Sequence, residues 1–524
     1  MIQAAASDID NFVQRGWWKK DTTLSDIVRD HALSNPLGIA YQWGDEIMTW
    51  SEYDQRANAI AAHIAEHLQP GDRVLVWLPD GGLVHASYLA CERARTVPVG
   101  VGWRAGAKEL EHLASRTESS FLLLPAETIL GSGSQVAENL GLPFMVIADG
   151  AEKMVISPQV GPGIGPSELW FLNSTSGTTG LPKCVMQTQN RWFYFHQKAV
   201  EFGHLDSTEI WMSVVPAPFG FGLWTAHVTP SMLGVPCIVQ QKFDARLAAR
   251  TIRENEVSVL CAVSSQFVMI LDAAEELDLV SLNVVFTGGE AISAKRAAEL
   301  EDKAGCRVLN FYGSNETGTL SGTTVDDPPI RRHTTGGKII PEMQVRLYDP
   351  DTSQRLPDFG IGQPACKGPA LSLGYWDDLE ANKELKTEDG WFLMGDLVEL
   401  DAEGWLKVVG RTSDFIIRGG KNISAAAVEE EVRNHPAVAQ VAVVAKPDLK
   451  LGETAVAYVQ LHAGNSLTLR ELKQYLKDNG VTIDWWPETL KVLSKLPVSS
   501  GGKIAKGTLR EMAKKLVEKD FEDL

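Results

Sequence analysis

Short apolar runs alternate with amphipathic stretches along most of this chain, and this alternation restricts the fold more than any other feature. Residues 74–78 (VLVWL) precede a helical pattern over 83–95, and Phe121–Leu124 and 144–147 are further candidate strands. The same order returns later, with strands expected at 257–261, 282–286 and 308–310 and helices expected at 266–276 and 292–303. Strands that alternate with helices form parallel sheets with helices on their faces. We therefore predict a large α/β domain of mostly parallel, helix-covered sheets.

The pattern changes near residue 396, where Asp396–Leu400 and a run at 405–409 flank a turn and predict a β-hairpin. After it we expect strands at Phe415–Arg418, 438–444 and 455–460, and helices at Ala425–Arg433, 469–479 and from 506 onward. About 110 residues of this kind suffice for a small α+β domain. We predict an N-terminal domain of residues 1–411 and a mobile C-terminal α+β domain of residues 412–524.

The charge of the chain limits its partners. Its 524 residues carry 49 Lys and Arg against 67 Asp and Glu, which gives a net charge of −18. Such a surface repels a phosphate backbone, so we expect no nucleic-acid partner. An anionic ligand needs local cations or backbone amides that override this field.

Cysteine usage and hydropathy predict the compartment. The six cysteines include no Cys-x-x-Cys pair, so neither a zinc site nor a redox pair is indicated. The first residues, MIQAAASDIDNF, lack the basic and apolar regions of a signal peptide, and no apolar run reaches the about 18 residues that cross a bilayer. We expect a cytoplasmic protein without integral membrane association. The oligomeric state, a homodimer included, is left open.

The segment FLNSTSGTTGLPK at residues 171–183 has the composition of a phosphate-binding loop. Glycines let backbone amides turn towards an anion, hydroxyl groups add hydrogen-bond donors, and the lysine supplies a positive charge. It is not a Walker A loop, because Cys184 rather than Ser or Thr follows the lysine. The candidate nucleotide-binding residues in this loop are Thr175, Ser176, Gly177, Thr178, Thr179, Gly180 and Lys183.

This segment resembles the signature loop of the adenylate-forming superfamily, which includes acyl-CoA synthetases, adenylation domains of non-ribosomal peptide synthetases and firefly luciferase. Four further motifs continue the resemblance in order: NFYGSNETG at 310–318, GWFLMGD at 390–396, GRTSDFIIRGGKN at 410–422 and LPVSSGGK at 496–503. Five motifs in the order of one family make chance agreement negligible. Residues 16–52 resemble the branch that joins alicyclic and aryl acids to CoA.

The resemblance implies a site for ATP and Mg²⁺ and assigns roles to individual residues. The hydroxyl loop with its lysine is expected to bind the β- and γ-phosphates, and Glu316 to hold Mg²⁺, a cation that prefers oxygen ligands. Lys503 is expected to contact the α-phosphate and the carboxylate as they react, so Glu316 and Lys503 are the expected catalytic residues. The remaining nucleotide contacts are expected from the turn Gly289, Glu290 and Ala291, the adenine-stacking Tyr312, the motif residues Gly313 and Asn315, and the ribose-binding Asp396 with Arg411.

Three positions depart from the family motifs. Asn315 replaces a threonine, but its amide can still donate a hydrogen bond to a phosphate. Met394 replaces another threonine, and Ser413 stands at the expected hinge position, which is usually Asp or Lys. The resemblance further implies that Gly419 and Gly420 line a tunnel for the pantetheine arm of CoA.

Residues 216–224 (PAPFGFGLW) follow the family pattern of the acyl pocket and indicate the class of acid. The expected pocket residues are Phe219, Gly220, Phe221 and Trp224. Family members that activate amino acids carry an aspartate just after the aromatic residue, and no acidic residue is present at 219–224. Because a buried ammonium group without a partner is costly, an α-amino acid is a poor candidate. The lining favours a hydrophobic monocarboxylate, ring-bearing acids included; the alternative is that Phe219 and Trp224 are ordinary core aromatics.

The expected function is that of an acid–thiol ligase, which converts a carboxylate and ATP to acyl-AMP and pyrophosphate and then transfers the acyl group to CoA. A stand-alone acyl-AMP ligase that loads a carrier-protein thiol is the first alternative. A luciferase-type oxygenase shares every motif, and a binding protein without catalysis is disfavoured by Glu316, Asp396 and Lys503. The identity of the acid lies beyond the sequence.

Overall fold

A computed structural model describes residues 1, 3–148, 163–174, 182–290, 292–350, 352–411, 415–418, 421–448, 451–498 and 504–522 of the chain. Within these residues, two large sheets with parallel centres dominate the chain up to residue 339, and two mostly antiparallel sheets follow. The predicted α/β class, with mostly parallel sheets in the large N-terminal part and an α+β unit after it, is confirmed.

The largest sheet has nine strands, and its central members run parallel. In spatial order its strands are Lys338–Ile339, Gly318–Gly322, Arg307–Ser314, Val284–Gly288, Val259–Cys261, Trp211–Ser213, Cys237–Val239, Ile39–Trp43 and Glu46–Thr49. Val284–Gly288 and Arg307–Ser314 are parallel neighbours, with Gly288 opposite Phe311. The carboxyl ends of these two strands therefore place residues 289–290 and 312–316 at one edge of the sheet, where ligands of α/β proteins commonly bind.

The second large sheet has six strands, built from apolar runs without alternation. They are, in spatial order, Cys184–Gln187, Phe171–Ser174, Val97–Gly100, Arg73–Val76, Phe121–Leu124 and Phe144–Val146. Phe121–Leu124 is at most 1% exposed, which explains a continuous FLLL run in a strand covered on both faces. The first two strands of the spatial order are antiparallel, with Ser174 opposite Cys184, so the hydroxyl loop connects two paired strands.

The predicted hairpin is confirmed: Asp396–Leu400 pairs antiparallel with Leu406–Arg411, and Asp396 lies opposite Arg411. It belongs to a sheet with Gln344–Tyr348, Gly360–Lys367 and Phe392–Leu393. The last large sheet contains Lys421–Ser424, Phe415–Arg418, Gly452–Leu461, Val438–Asp448 and Thr489–Val492, and Glu127–Thr128 forms a separate pair with Gly131–Ser132. Described strands before residue 412 and after residue 414 thus belong to different sheets. A domain boundary at 411/412 agrees with this separation and stays a prediction.

Helices connect the strands of the parallel sheets, and several of them begin with a side-chain cap. In Trp50–His67, the Thr49 hydroxyl accepts a hydrogen bond from the Glu52 amide, and the Glu52 carboxylate accepts one from the Thr49 amide. The other helices are Ala6–Gln14, Leu24–Ser34, Gly82–Arg93, Ala107–Arg116, Gly133–Leu140, Gln189–Gly203, Gly220–Gly222, Thr229–Leu233, Ala245–Glu254, Ser264–Ala273, Ala294–Ala304, Pro329–Thr334, Leu379–Glu384, Ala425–Arg433, Leu469–Asp478 and Lys506–Glu522, with a π-helix at Leu223–Val228 and a 3₁₀ turn at Ile483–Trp485.

Three strands are clearly longer than predicted, and one of them, Gly452–Leu461, was expected at 455–460. Arg307–Ser314 was expected only at 308–310, and Val438–Asp448 only at 438–444. Both continue because an antiparallel neighbour, Gly318–Gly322 or Gly452–Leu461, pairs with the additional residues. Pairing partners of this kind override the local sequence pattern.

All six cysteines are free thiols and all are buried. Among the described helices, none combines the length and the apolar character that a membrane crossing requires.

Candidate active site

The structure brings together the residues expected to hold the adenosine of ATP. Tyr312 lies in the strand Arg307–Ser314, and Asp396 begins the hairpin. The Tyr312 hydroxyl donates a hydrogen bond to Oδ2 of Asp396 over 2.9 Å and lies 3.8 Å from the Met394 sulfur. The departure Met394 therefore packs beside the expected adenine-stacking ring, where the family threonine would offer a hydroxyl. The residues expected to contact the adenine and the ribose are therefore hydrogen-bonded to each other.

The turn after strand Val284–Gly288 lies next to this pair. Gly289 has a φ of 73°, a left-handed conformation that glycine adopts at low cost. The Glu290 carboxylate accepts a hydrogen bond from the Ser265 amide over 2.9 Å, at the first turn of helix Ser264–Ala273. The side chain of Glu290 is thus engaged by this helix. Gly313 is required for a different reason, because a Cβ atom there would collide with the carbonyl oxygen of Gly318.

Glu316 lies in a tight turn whose geometry fixes its carboxylate. Its amide donates a hydrogen bond to the Ser314 hydroxyl (3.2 Å), and its carbonyl oxygen accepts one from the Ser372 amide (2.8 Å). The Tyr375 hydroxyl donates to Oε1 of Glu316 over 2.7 Å. Burial, followed by the charge of Glu316, raises the pKa of Tyr375 well above its usual value, so this hydroxyl stays protonated. The Lys183 ammonium lies 4.9 Å from the centre of the Tyr375 ring.

The carboxylate of Glu316 is suited to Mg²⁺. One oxygen, Oε1, is held by Tyr375, and within the described part of the chain Oε2 makes no hydrogen bond. A hard cation prefers such an oxygen ligand, and a ligand carboxylate is normally oriented by a second hydrogen bond. Glu316 would therefore hold Mg²⁺ through Oε2.

A buried polar network underlies the two motifs that are expected to bind phosphate. Asn173, Gln187 and Arg191 are each at most 1% exposed. Gln187 Nε2 donates to Asn173 Oδ1 (2.6 Å), and Asn173 Nδ2 donates to Asn315 Oδ1 (3.3 Å). Arg191 donates to the carbonyl oxygens of Asn315 and Ala370, each over 2.7 Å, and to the side chain of Gln187. The network joins both strands of the hydroxyl loop to the turn that carries Glu316.

Arg191 is a buried cation in this network. Burial lowers its pKa to about 9, and the negative charge of Glu316 acts in the opposite direction. Its Nη2 is buried and makes no hydrogen bond with the described residues. Because a buried guanidinium group needs compensation, the carboxylate of Glu316 stabilises Arg191 as well as the expected metal.

Gly220 allows the predicted acyl segment to approach the nucleotide motif, and Gly222 allows close packing within the acyl segment itself. A Cβ atom at Gly220 would collide with Oδ1 of Asn315, and one at Gly222 would collide with the carbonyl oxygen of Pro216. Phe219 and Phe221 are half-buried at this point. The segment then continues as the π-helix Leu223–Val228, a rare form that is frequent at functional sites. Asn315 thus contacts both the phosphate-loop network and the acyl segment.

Trp224 lies inside an aromatic cluster and is fully buried. Its ring stacks on Phe195 with centroids 4.2 Å apart and on Phe221 at 5.4 Å. The edges of Phe286 and Phe311 contact it at 5.4 and 5.6 Å. Trp224 therefore packs among aromatic side chains and contacts Phe221, and its place in the acyl pocket stays a prediction, as do those of the half-buried Phe219 and Phe221.

Several predicted residues fall outside the described part of the chain. They are Thr175, Ser176, Gly177, Thr178, Thr179, Gly180, Ala291, Ser413, Gly419, Gly420 and Lys503, and only the backbone of Arg411 is described. The residues that flank the lysine segment are described: Val498 and Ile504 form an antiparallel bridge across it. The roles of all these residues stay predictions.

The sequence analysis gave no role to four residues of this site: Asn173, Gln187, Arg191 and Tyr375. Asn173 and Gln187 are polar residues inside otherwise apolar strands, a signal that could have indicated a buried network. No sequence signal distinguishes Tyr375, since only the three-dimensional structure places it against Glu316.

Comparison with known proteins identifies the family of the chain. The model of the AMP-binding enzyme family matches residues 28–376, and that of the AMP-binding enzyme C-terminal domain matches residues 427–503. The medium-chain fatty-acid–CoA ligase of Escherichia coli (strain K12) is 29% identical, over 95% of this chain and 91% of its own length. The 2-hydroxy-7-methoxy-5-methyl-1-naphthoate–CoA ligase of Streptomyces carzinostaticus is 28% identical, over 97% of this chain and 96% of its own.

A solved structure has the same fold. The o-succinylbenzoate coenzyme A synthetase MenE from Bacillus subtilis, in complex with ATP and a magnesium ion, superposes with a TM-score of 0.81 and 24% identity, over 92% of this chain and 98% of that one. The predicted enzyme class, an adenylate-forming ligase of the acyl-CoA synthetase type, is confirmed, and the chain belongs to the AMP-binding enzyme family.

Proposed function

We propose that the protein joins a hydrophobic monocarboxylic acid, ring-bearing acids included, to CoA at the expense of ATP. The observation that carries this proposal is the contact between Gly220 of the acyl segment and Asn315 of the nucleotide motif. The carboxylate must attack the α-phosphate, so the two sites must adjoin, and these two segments do. The fatty-acid and naphthoate ligases among the relatives support an apolar acid, with or without rings.

In the first half-reaction, the residues of the site bind ATP and neutralise its charge. Tyr312 stacks on adenine, Asp396 accepts hydrogen bonds from the ribose, and Lys183 with the hydroxyl loop binds the β- and γ-phosphates. Glu316 would hold Mg²⁺, which would supply further positive charge as pyrophosphate leaves; magnesium accompanies ATP in the MenE structure. Lys503 contacts the α-phosphate and the carboxylate oxygens.

The apolar segment sets the class of acid. Phe219 and Phe221 contact the acid by burial of apolar surface, which is worth about 25 cal/mol per Å². With no acidic residue at 219–224, an ammonium group on the substrate has no partner there. A hydrophobic acid with a single charged group therefore fits best.

In the second half-reaction, the CoA thiol displaces AMP from the acyl-AMP. Gly419 and Gly420 line the pantetheine tunnel, and the C-terminal domain turns at Ser413 so that Lys503 leaves the site. Both reported relatives are CoA ligases by name, which favours CoA over the alternative acceptor, a carrier-protein thiol.

A panel of carboxylic acids tests the proposal. AMP release is measured with and without CoA for medium-chain, alicyclic and aryl acids, and for a dicarboxylate and an α-amino acid. We expect CoA-dependent turnover of the first group only. Efficient turnover of the last two acids would contradict the proposed acid class. If AMP release required a carrier protein, the acceptor would be a carrier-protein thiol and not CoA.

A cytoplasmic location belongs to the same proposal as a sequence-based prediction, which fractionation tests. The solution mass determines whether the protein is a homodimer, a state that the sequence leaves open.

A further inference from the structure

We propose that Tyr375 is a positioning residue that orients Glu316 for Mg²⁺ and joins it to the phosphate-binding Lys183. The inference rests on the proposed function, because it concerns the metal and the phosphates of the same nucleotide site. None of the five sequence motifs contains Tyr375.

The hydroxyl of Tyr375 selects which oxygen of Glu316 remains for a metal. It donates to Oε1 over 2.7 Å, while Oε2 makes no hydrogen bond with any described residue. A hydrogen bond to a charged carboxylate is strong, and it restricts rotation of the carboxylate before the metal arrives. The conformational entropy of the Glu316 carboxylate is therefore lost when the protein folds and not when the metal binds.

The position of Tyr375 is itself fixed. Its amide donates to Oδ1 of Asn382 and its carbonyl oxygen accepts from Nδ2 of the same residue, each over 2.8 Å. It also forms an isolated bridge with Val185, in the strand that leaves the hydroxyl loop. The hydroxyl therefore has little freedom to follow Glu316 if the carboxylate moves.

The ring of Tyr375 makes a second contact, with Lys183. The Lys183 ammonium lies 4.9 Å from the ring centroid, within the range of a cation–π interaction. A single side chain thus contacts the residue expected to bind metal through its hydroxyl and the residue expected to bind phosphate through its ring. The two contacts can be removed separately.

The test compares Tyr375→Phe with Tyr375→Leu. Thermal unfolding with saturating ATP is followed over a range of free Mg²⁺ concentrations, so the readout does not depend on turnover. Tyr375→Phe keeps the ring and loses the hydroxyl, so we expect the Mg²⁺ concentration at the midpoint of stabilisation to rise about 10- to 100-fold. ATP binding in excess EDTA should remain at the wild-type level in this variant and weaken only in Tyr375→Leu.

Tyr194→Phe is the matched control, because the Tyr194 hydroxyl also donates to a glutamate, Oε2 of Glu342, over 3.1 Å. It should leave the Mg²⁺ midpoint unchanged. An unchanged midpoint in Tyr375→Phe would overturn the inference while leaving the proposed function intact. If the wild-type protein showed no stabilisation by ATP and Mg²⁺, the proposed nucleotide site itself would be wrong.

Discussion

The hydroxyl of Tyr312 donates a hydrogen bond to Oδ2 of Asp396 over 2.9 Å, although the two residues are far apart in sequence. The ring and the carboxylate come from different sheets, and this hydrogen bond fixes the distance between the expected adenine and ribose contacts. Asp396 is also the residue expected to accept hydrogen bonds from the ribose hydroxyls.

Replacement of Asp396 tests the nucleotide site. Asp396→Ala removes a charge-assisted hydrogen bond worth about 1.5–3 kcal/mol, so we expect the KM for ATP to rise about tenfold or more, with little change in the KM for the acid. Glu399→Gln, at an exposed position of the same strand, is the control. Wild-type ATP kinetics in Asp396→Ala would place the ribose elsewhere.

Lys503→Ala separates the two half-reactions. Lys503 is expected at the α-phosphate during adenylation and away from it during thioester formation. We expect acyl-AMP formation to fall by orders of magnitude while CoA thioester synthesis from supplied acyl-AMP continues. Lys506→Ala is the matched control, since Lys506 pairs with Glu429 at 2.8 Å. Equal losses in both assays would refute the assignment.

The contact between Gly220 and Asn315 predicts a coupled pair of variants. Gly220→Ala introduces a Cβ that collides with Oδ1 of Asn315, so we expect adenylation to slow and the free energy of unfolding to fall by about 1–3 kcal/mol. Adding Asn315→Ser makes room and should restore part of both losses. The control is Gly106→Ala, where nothing lies within 4 Å of the added atom. Strictly additive effects would show that the two residues do not meet.

Replacement of Phe221 tests the acyl pocket more directly than replacement of Trp224. Phe221→Ala should raise kcat/KM for bulkier acids relative to small ones and leave the KM for ATP nearly unchanged. Trp224→Ala should also alter acid preference, but it empties a fully buried site and costs about 3–5 kcal/mol of stability. Unchanged acid preference in Phe221→Ala would show that the acyl pocket is not formed by this segment.

Asp80 gives a prediction for pH. Its Oδ1 accepts a hydrogen bond from the Ala217 amide over 2.7 Å, at the start of the acyl segment, and burial raises its pKa to about 7. The folded state therefore holds this proton more tightly than the unfolded state, so Asp80 makes the protein less stable as the pH rises from about 4 to about 7. Asp80→Asn keeps an acceptor for Ala217 and cannot ionise.

Urea unfolding between pH 5 and pH 8 measures this effect. The stability of Asp80→Asn relative to the wild type should increase up to about pH 7 and then level off. The comparison cancels the contributions of the other buried groups. A pH-independent difference would show that Asp80 does not titrate in this range.

The sequence pattern predicted the bounds of a strand well where local features define them. Phe121–Leu124 and Asp396–Leu400 have the predicted bounds because uniform apolarity, or a hairpin turn, defines them locally. Arg307–Ser314 extends beyond its prediction because its last residues pair with Gly318–Gly322, a partner that local pattern does not reveal.

The motifs predicted site residues of which the structure brings several together, and they gave no role to the residues that pack around them. Tyr312 and Asp396 are brought together as their assigned roles require. Tyr375 and Arg191 act on Glu316 and its turn from other segments, through contacts that depend on the tertiary fold. For Trp224 the apolar pattern was ambiguous, since a pocket wall and a packed core need the same residue types.

The burial of all six cysteines has a consequence for an enzyme that makes an activated acyl group. An acyl-AMP is an electrophile that any accessible thiolate can intercept, and each such event would acylate the protein and waste an ATP. Burial raises the pKa of every one of these thiols, so each is both enclosed and protonated. The protein's own thiols therefore do not intercept the acyl-AMP, and the acyl group is left for a thiol that binds from solution.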